Sequence, residues 1–164
     1  MHSRSWLAQA FGLVLWLIIT FAAAAVGALA SVEAQAFYAQ LAKPAWAPPA
    51  GVFGPVWSVL YLLMGVAAWR VWRQRQRHDV HPALGLYLLQ LAANALWSWL
   101  FFGWHRGAFA FADVLVLWAL IVGTLVAFWR VDRLAGALLL PYLAWVSFAS
   151  ALTWAVWQRN PGLL

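Results

Sequence analysis

Five apolar segments run through this chain, and each is about as long as the hydrocarbon core of a lipid bilayer is thick. They cover residues 6–30, 53–72, 82–104, 108–129 and 134–157. A transmembrane α-helix needs about 20 mostly apolar residues, and its backbone groups must be hydrogen-bonded within the segment because hydrocarbon offers no partners. The sequence therefore predicts an all-α polytopic membrane protein: a five-transmembrane-helix bundle that forms one domain over residues 1–164.

The composition excludes a soluble domain of this size. Hydrophobic residues make up 66% of the chain and charged residues 9%, whereas soluble domains are about half apolar and about a quarter charged. The absence of cysteine excludes disulfides, thiolate metal sites and cysteine nucleophiles. A net charge of +6 would suggest nucleic acid in a soluble chain. Here the basic residues flank apolar segments, as they do in oriented membrane proteins, so no nucleic-acid partner is expected.

Basic residues are unequally divided between the two sides that five spans define. The amino-terminal side carries seven of them (Arg4, Arg70, Arg73, Arg75, Arg77, Arg130 and Arg133), and the other side carries three (Lys43, Arg106 and Arg159). Because cytoplasmic loops are enriched in Lys and Arg, we expect a cytoplasmic amino terminus in a bacterial cell membrane. The basic start and alanine-rich end of the first segment also resemble a signal peptide, an alternative that its full-span length disfavours.

The connection between the first two segments, residues 31–52, is rich in proline and apolar residues. Pro44, Pro48 and Pro49 fix the backbone φ angle and remove hydrogen-bond donors, which predicts a stiff, non-helical loop. Trp46 gives this loop an apolar side. We therefore expect residues 31–52 to act as a lid over something that lies within the bundle.

Two polar residues in the third segment share a helical face. Gln90 and Asn94 are four residues apart, and Trp97 and Phe101 continue the same face. These side chains either hold neighbouring helices together or line a ligand cavity, and both interpretations stay open. Asp113, in the fourth segment, either stabilises the start of its helix or belongs to a proton path.

Aromatic residues also repeat at helical spacing. Trp57 and Tyr61 are four residues apart, and Tyr142 and Trp145 are three apart. Aromatic walls of this kind suit a flat, hydrophobic, aromatic ligand that needs few polar contacts.

The histidines give no sign of a metal or haem site. His2, His78, His81 and His105 all lie at the ends of apolar segments, whereas a transmembrane haem needs axial imidazoles inside the bundle. No glycine-rich phosphate loop and no Ser/His/Asp arrangement is visible either. We expect no metal and no required cofactor.

Four motifs, in this order along the chain, resemble the TspO/MBR family of translocator proteins and tryptophan-rich sensory proteins. They are FYAQLAKPAWAPP at 37–49, FGPVWSVLYLLMG at 53–65, QLAANALWSWLFFGWHR at 90–106 and LLPYLAWVSFASALTW at 139–154. The resemblance extends over about residues 37–157. It implies a five-helix bundle, usually dimeric, whose pocket is closed by the first loop.

Members of that family bind porphyrins such as protoporphyrin IX, and many bind sterols and aromatic drug-like compounds. The resemblance thus implies a tetrapyrrole receptor or carrier with a sensory or stress-regulatory role. Carried over by position, the ligand-binding residues are Trp46, Trp57, Tyr61, Asn94, Trp97, Tyr142, Trp145, Ser147 and Leu152.

Two other functions come with the resemblance. In some relatives a tryptophan that matches Trp145 is linked to light-dependent breakdown of protoporphyrin, which makes Trp145 the candidate catalytic residue. Its partner tryptophan there matches Phe37 here, and this substitution argues for binding over degradation. The second alternative is a transporter of porphyrin-like or sterol-like substrates, with Asp113 as its ionisable candidate. The family's sterol motif is altered, because Trp154 stands where that motif has tyrosine.

Overall fold

The computed structural model describes the backbone of residues 2–164 and the side chains of residues 5–164. The side chain of Arg4, one of the seven basic residues on the amino-terminal side, lies outside the described residues. Seven α-helices are described: α1 (His2–Ala30), α2 (Ala34–Gln40), α3 (Phe53–Arg73), α4 (His81–Ser98), α5 (Gly107–Val131), α6 (Arg133–Leu138) and α7 (Leu140–Arg159). No strand occurs among the described residues.

Five helical stretches within the described residues are long and apolar enough to cross a membrane. They are Ser5–Ala30, Ala50–Arg73, His81–Gly103, Gly107–Val131 and Arg133–Arg159. This confirms the predicted all-α, five-span architecture of an integral multi-pass membrane protein. The first span packs against α3 and α4 as part of the bundle.

Two of the spans contain a break in regular α-helix. Pro141 cannot donate a backbone hydrogen bond, and the fifth span accordingly divides at Leu139 into α6 and α7. The third span ends in a π-helical turn, Trp99–Gly103, in which the Trp104 amide donates to the Trp99 carbonyl at 2.7 Å. Such widened turns often occur at functional sites.

The core of the bundle is formed mainly by α3, α4, α5 and α7. Its largest fully buried side chains include Tyr87, Tyr142, Phe128, Met64 and Leu117. α5 packs against both α4 and α7, and α1 closes the bundle on the side of α3. Most large apolar side chains of α1 are exposed, as expected for a helix that faces lipid.

Two polar contacts also join neighbouring elements of the bundle. The Thr20 and Tyr87 hydroxyl groups lie 2.5 Å apart and tie α1 to α4. At the basic end of the bundle, Arg70 of α3 forms an ion pair with Asp132 at 2.8 Å. Asp132 also caps α6, because its carboxylate accepts from the backbone amides of the helix's second and third residues.

A candidate ligand cavity beneath the first loop

A cavity of about 340 Å³ lies between the spans at the end covered by the first loop. Helix α1 contributes small residues to its wall, among them Ala24, Gly27 and Ala28. Aromatic residues from α3, α4 and α7 form the other walls. The volume is at the lower end of the range of ligand pockets, about 300–1,000 Å³.

Six of the nine residues predicted to bind a ligand line this cavity. They are Trp57 and Tyr61 of α3, Asn94 and Trp97 of α4, and Trp145 and Leu152 of α7. Helical spacing placed each pair on one face, and the packing of α3, α4 and α7 turns these faces toward each other.

Ser147 does not line the cavity, which corrects the expectation that it belongs to the pocket. It is exposed, and its hydroxyl accepts from Trp118 Nε1 at 2.8 Å and donates to the Leu143 carbonyl at 2.7 Å. On a helix with about 3.6 residues per turn, a residue two positions after Trp145 points to nearly the opposite side. Ser147 therefore joins α7 to α5.

Trp46 and Tyr142 lie next to the cavity without lining it. Trp46 is 50% exposed, and its ring meets Phe148 edge-on at 5.7 Å, on the outer side of the loop. Tyr142 is buried, and its hydroxyl accepts from Asn94 Nδ2 at 2.6 Å. Tyr142 supports a residue of the cavity wall, whereas Trp46 packs the loop against α7.

Four polar side chains form a chain of hydrogen bonds that begins at the cavity. The Tyr61 hydroxyl donates to Asn94 Oδ1 at 3.2 Å, and the Tyr142 hydroxyl links Asn94 to Gln90 Oε1, which it reaches at 2.7 Å. We call Tyr61, Asn94, Tyr142 and Gln90 the polar string. Both residues of the pair on α4 therefore join helices, and Asn94 also lines the cavity.

Two tryptophans form perpendicular walls. The rings of Trp57 and Trp145 lie 6.5 Å apart at an angle of 89°, and Trp97 stacks on Phe101 at 5.1 Å and 12°. The indole nitrogens of Trp97 and Trp145 are buried and have no hydrogen-bond acceptor among the described residues. Both nitrogens are covered by surrounding protein atoms, so these two tryptophans contribute apolar ring surface to the cavity wall.

The first loop, which forms the predicted lid, is held in shape by hydrogen bonds between its own residues. The Tyr38 hydroxyl donates to the Pro48 carbonyl at 2.7 Å, and burial raises the pKa of this tyrosine. Lys43 Nζ donates to the carbonyls of Tyr38 and Leu41 and lies 4.7 Å from the centre of the Tyr38 ring. The first loop is thus partly helical, through α2, and partly a proline segment folded back onto that helix.

Phe37 connects the lid to the turn between α4 and α5. Its ring is buried and stacks flat on His105, with the ring centres 4.0 Å apart and the planes at 6°. His105 has a φ angle of 52°, uncommon for a residue other than glycine. Phe37 does not line the cavity, whereas Trp145 does.

Sequence reasoning missed several residues of the site. Phe53 and Phe102 line the cavity, and Asn160 holds the lid to α7. Phe102 follows Phe101 directly in the π-helical turn, and both residues line the cavity. Asp113 does not line the cavity; its Oδ2 is buried without a hydrogen-bond partner among the described residues.

Fold and site together define a multi-pass α-helical membrane protein with an aromatic cavity under a structured loop. The sequence pattern of the TspO/MBR family matches residues 6–158. Protein CrtK of Rhodobacter capsulatus is 39% identical over 153 residues, which cover 92% of this chain and 95% of that protein.

Two further relatives have descriptive names. The tryptophan-rich sensory protein of Cereibacter sphaeroides is 40% identical, over 88% of this chain and 92% of that protein. The human translocator protein is 42% identical, over 79% of this chain and 78% of that protein. The chain belongs to the TspO/MBR family, which confirms the resemblance inferred from its motifs.

Proposed function

We propose that this protein is a membrane receptor or carrier that binds tetrapyrroles such as protoporphyrin IX in the cavity beneath the first loop. The observation that carries the proposal is the pair of perpendicular aromatic walls, Trp57 and Trp145, in a cavity that the polar string reaches at Tyr61. A tetrapyrrole offers flat aromatic surface to these walls. Burial of such a surface against aromatic rings supplies most of the binding free energy.

The rim of the cavity explains how a ligand of that size is accommodated. Ala28 of α1, Gln35 of α2 and Gly54 of α3 line the cavity and are exposed at its edge. A macrocycle that fills the aromatic cavity extends its remaining rings between these residues. Small side chains at Ala28 and Gly54 leave room for it.

The names of the relatives favour a sensory or translocating role over a purely structural one. One relative is called a tryptophan-rich sensory protein and another a translocator protein. We propose that this chain shares such a role with them. We do not extend the proposal to porphyrin degradation, because Phe37 replaces the partner tryptophan and packs outside the cavity against His105.

Titration of the purified protein with protoporphyrin IX, followed by porphyrin absorbance, tests the proposal. We expect Trp57→Ala to weaken binding about tenfold, since stacking on one aromatic ring contributes about 1–3 kcal/mol. Asn94→Ala removes the acceptor that orients the Tyr61 hydroxyl, and should weaken binding several-fold, since one hydrogen bond contributes about 0.5–1.5 kcal/mol. Trp6→Phe is the matched control, because Trp6 is 61% exposed and outside the cavity. If both cavity variants bind with wild-type affinity, the proposed site is wrong.

A further inference from the structure

We propose that Gln90 and Met64 determine the ligand specificity of the cavity by fixing the direction of the hydrogen bonds along the polar string. In this direction the string presents a hydrogen-bond acceptor to the cavity, so the site prefers a ligand whose edge carries an N–H or O–H donor. The inference rests on the proposed function of the cavity as a ligand site. Neither Gln90 nor Met64 lines the cavity, so both act as positioning residues.

The direction follows from the single proton of the Tyr142 hydroxyl. Tyr142 gives this proton to Gln90 Oε1 at 2.7 Å, so its oxygen serves as the acceptor for Asn94 Nδ2 at 2.6 Å. Asn94 must then turn its Oδ1 toward Tyr61, whose hydroxyl donates to it at 3.2 Å.

The cavity end of the string is the Tyr61 hydroxyl. Asn94 is only 3% exposed, whereas Tyr61 is partly exposed, and both line the cavity. The proton of Tyr61 is used within the string, which leaves the lone pairs of its oxygen for a ligand. A ligand group placed there must donate a hydrogen bond.

Reversing every bond of the string would give the opposite specificity. Gln90 would then donate to Tyr142, and Tyr142 would donate to Asn94 Oδ1. Asn94 Nδ2 would donate to the Tyr61 oxygen and free the Tyr61 proton for the cavity. A carbonyl or carboxylate would bind in place of a donor. The two states use the same side chains, so something outside the string must select between them.

Met64 makes this selection. Its sulfur lies 3.9 Å from Gln90 Nε2, and a thioether accepts hydrogen bonds weakly but donates none. Rotation of the Gln90 amide would bring the lone pairs of Oε1 against those of the sulfur. The present orientation, with the amide N–H facing sulfur, is therefore favoured.

Water does not change the orientation of the Gln90 amide. Met64 and Gln90 are at most 1% exposed, as is Tyr142. The small void beside Gln90 and Tyr142 has no space for a water molecule between the described residues that line it. The direction set at Met64 is therefore transmitted to Tyr61 through protein groups alone.

The string therefore gives the aromatic cavity one directed polar group, an acceptor at Tyr61. The preferred ligand is a flat aromatic molecule that carries a hydrogen-bond donor at its edge.

Three tricyclic probes of nearly the same shape test the inference: carbazole with an N–H donor, dibenzofuran with an ether oxygen, and fluorenone with a carbonyl acceptor. We expect the wild type to bind carbazole about tenfold more tightly than the other two, because a site built around a hydrogen bond rejects analogues that lack it. Met64→Leu keeps the volume but removes the sulfur, and should bring the affinity ratio close to one. Gln90→Leu removes the acceptor for Tyr142, and should reverse the ratio in favour of fluorenone.

Leu117→Met is the control, because Leu117 is a buried core residue of α5 outside both the string and the cavity. It should retain the wild-type ratio. A loss of stability alone would weaken all three probes equally, so the ratio separates positioning from folding. Equal affinities in the wild type, no binding of carbazole, or a ratio unchanged in both string variants would overturn the inference. Protoporphyrin IX titrated in parallel reports on the proposed function separately.

Discussion

Asn160 holds the backbone of Ala42 by both polar atoms of its side chain, although the two residues are 118 positions apart. Its Oδ1 accepts from the Ala42 amide at 2.8 Å, and its Nδ2 donates to the Ala42 carbonyl at 2.9 Å. The same Nδ2 donates to the Val156 carbonyl at 2.7 Å, which fixes the amide relative to α7. The first loop is therefore anchored to the end of the last span.

Asn160→Ala should release this anchor. We expect a loss of about 1–3 kcal/mol, because the backbone of Ala42 loses two hydrogen bonds to the Asn160 side chain. Hydrogen exchange at the Ala42 amide should become faster, and protoporphyrin IX should dissociate several-fold faster. Gln158→Ala, an exposed change on the same turn, is the control. Unaltered exchange in Asn160→Ala would show that the loop is held by other contacts.

Asp132 should contribute more to stability than an ordinary surface carboxylate. It pairs with Arg70, its side chain is 10% exposed, and it caps α6. Asp132→Ala removes the ion pair and the cap together, and we expect a loss of about 2–4 kcal/mol. Asp132→Asn keeps a capping oxygen and should lose less. Thermal unfolding in detergent measures both variants, and equal losses would contradict a capping role.

Gly136 should not tolerate a side chain. A Cβ atom there would lie 2.9 Å from both the Cα and the Cβ of Trp129, so the α5–α6 junction would have to move. Gly123→Ala is the matched control, because its new Cβ would meet only Leu86, at 3.9 Å. We expect Gly136→Ala to destabilise by about 1–3 kcal/mol, and Gly123→Ala to be neutral or stabilising by up to about 1 kcal/mol. Equal unfolding temperatures for the two variants would refute this.

The charge distribution predicts that the first loop faces away from the cytoplasm. Since the chain has no cysteine, a single cysteine placed at Ala45 or at Gln76 gives an unambiguous label. In intact cells an impermeant maleimide should label the Ala45→Cys variant and leave the Gln76→Cys variant unlabelled until the membrane is opened. The reverse pattern would place the amino terminus outside.

High pH should loosen the lid. Burial raises the pKa of Tyr38 above its usual value of 10.0. The unfolded loop therefore loses this proton at lower pH than the folded loop does. The contribution of Tyr38 is fully present below about pH 10 and is lost as the pH rises through the folded-state pKa. The protection factors of the α2 amides, which compare each exchange rate with that of an unfolded peptide at the same pH, should fall above pH 10 in the wild type and stay constant in Tyr38→Phe.

The spacing of residues along single helices predicted part of the aromatic cavity wall. Trp57 and Tyr61 share a face of α3, and Asn94 and Trp97 follow one face of α4, because helical geometry fixes such neighbours in any fold. Ser147 was carried over from the family resemblance, and it lies outside the cavity because a residue two positions after Trp145 points to nearly the opposite side of α7. The predicted homodimer stays a prediction of the family resemblance.

The sequence by itself determined the five spans, since long apolar segments can satisfy their backbone groups in a membrane only as helices. Tertiary structure alone decided which helical faces meet, that the proline loop is tied down by Asn160, and that Phe102 joins Phe101 in the cavity wall. It also decided the direction of the polar string at Met64. These features depend on contacts between residues far apart in the chain, and such contacts leave no periodic pattern in the sequence.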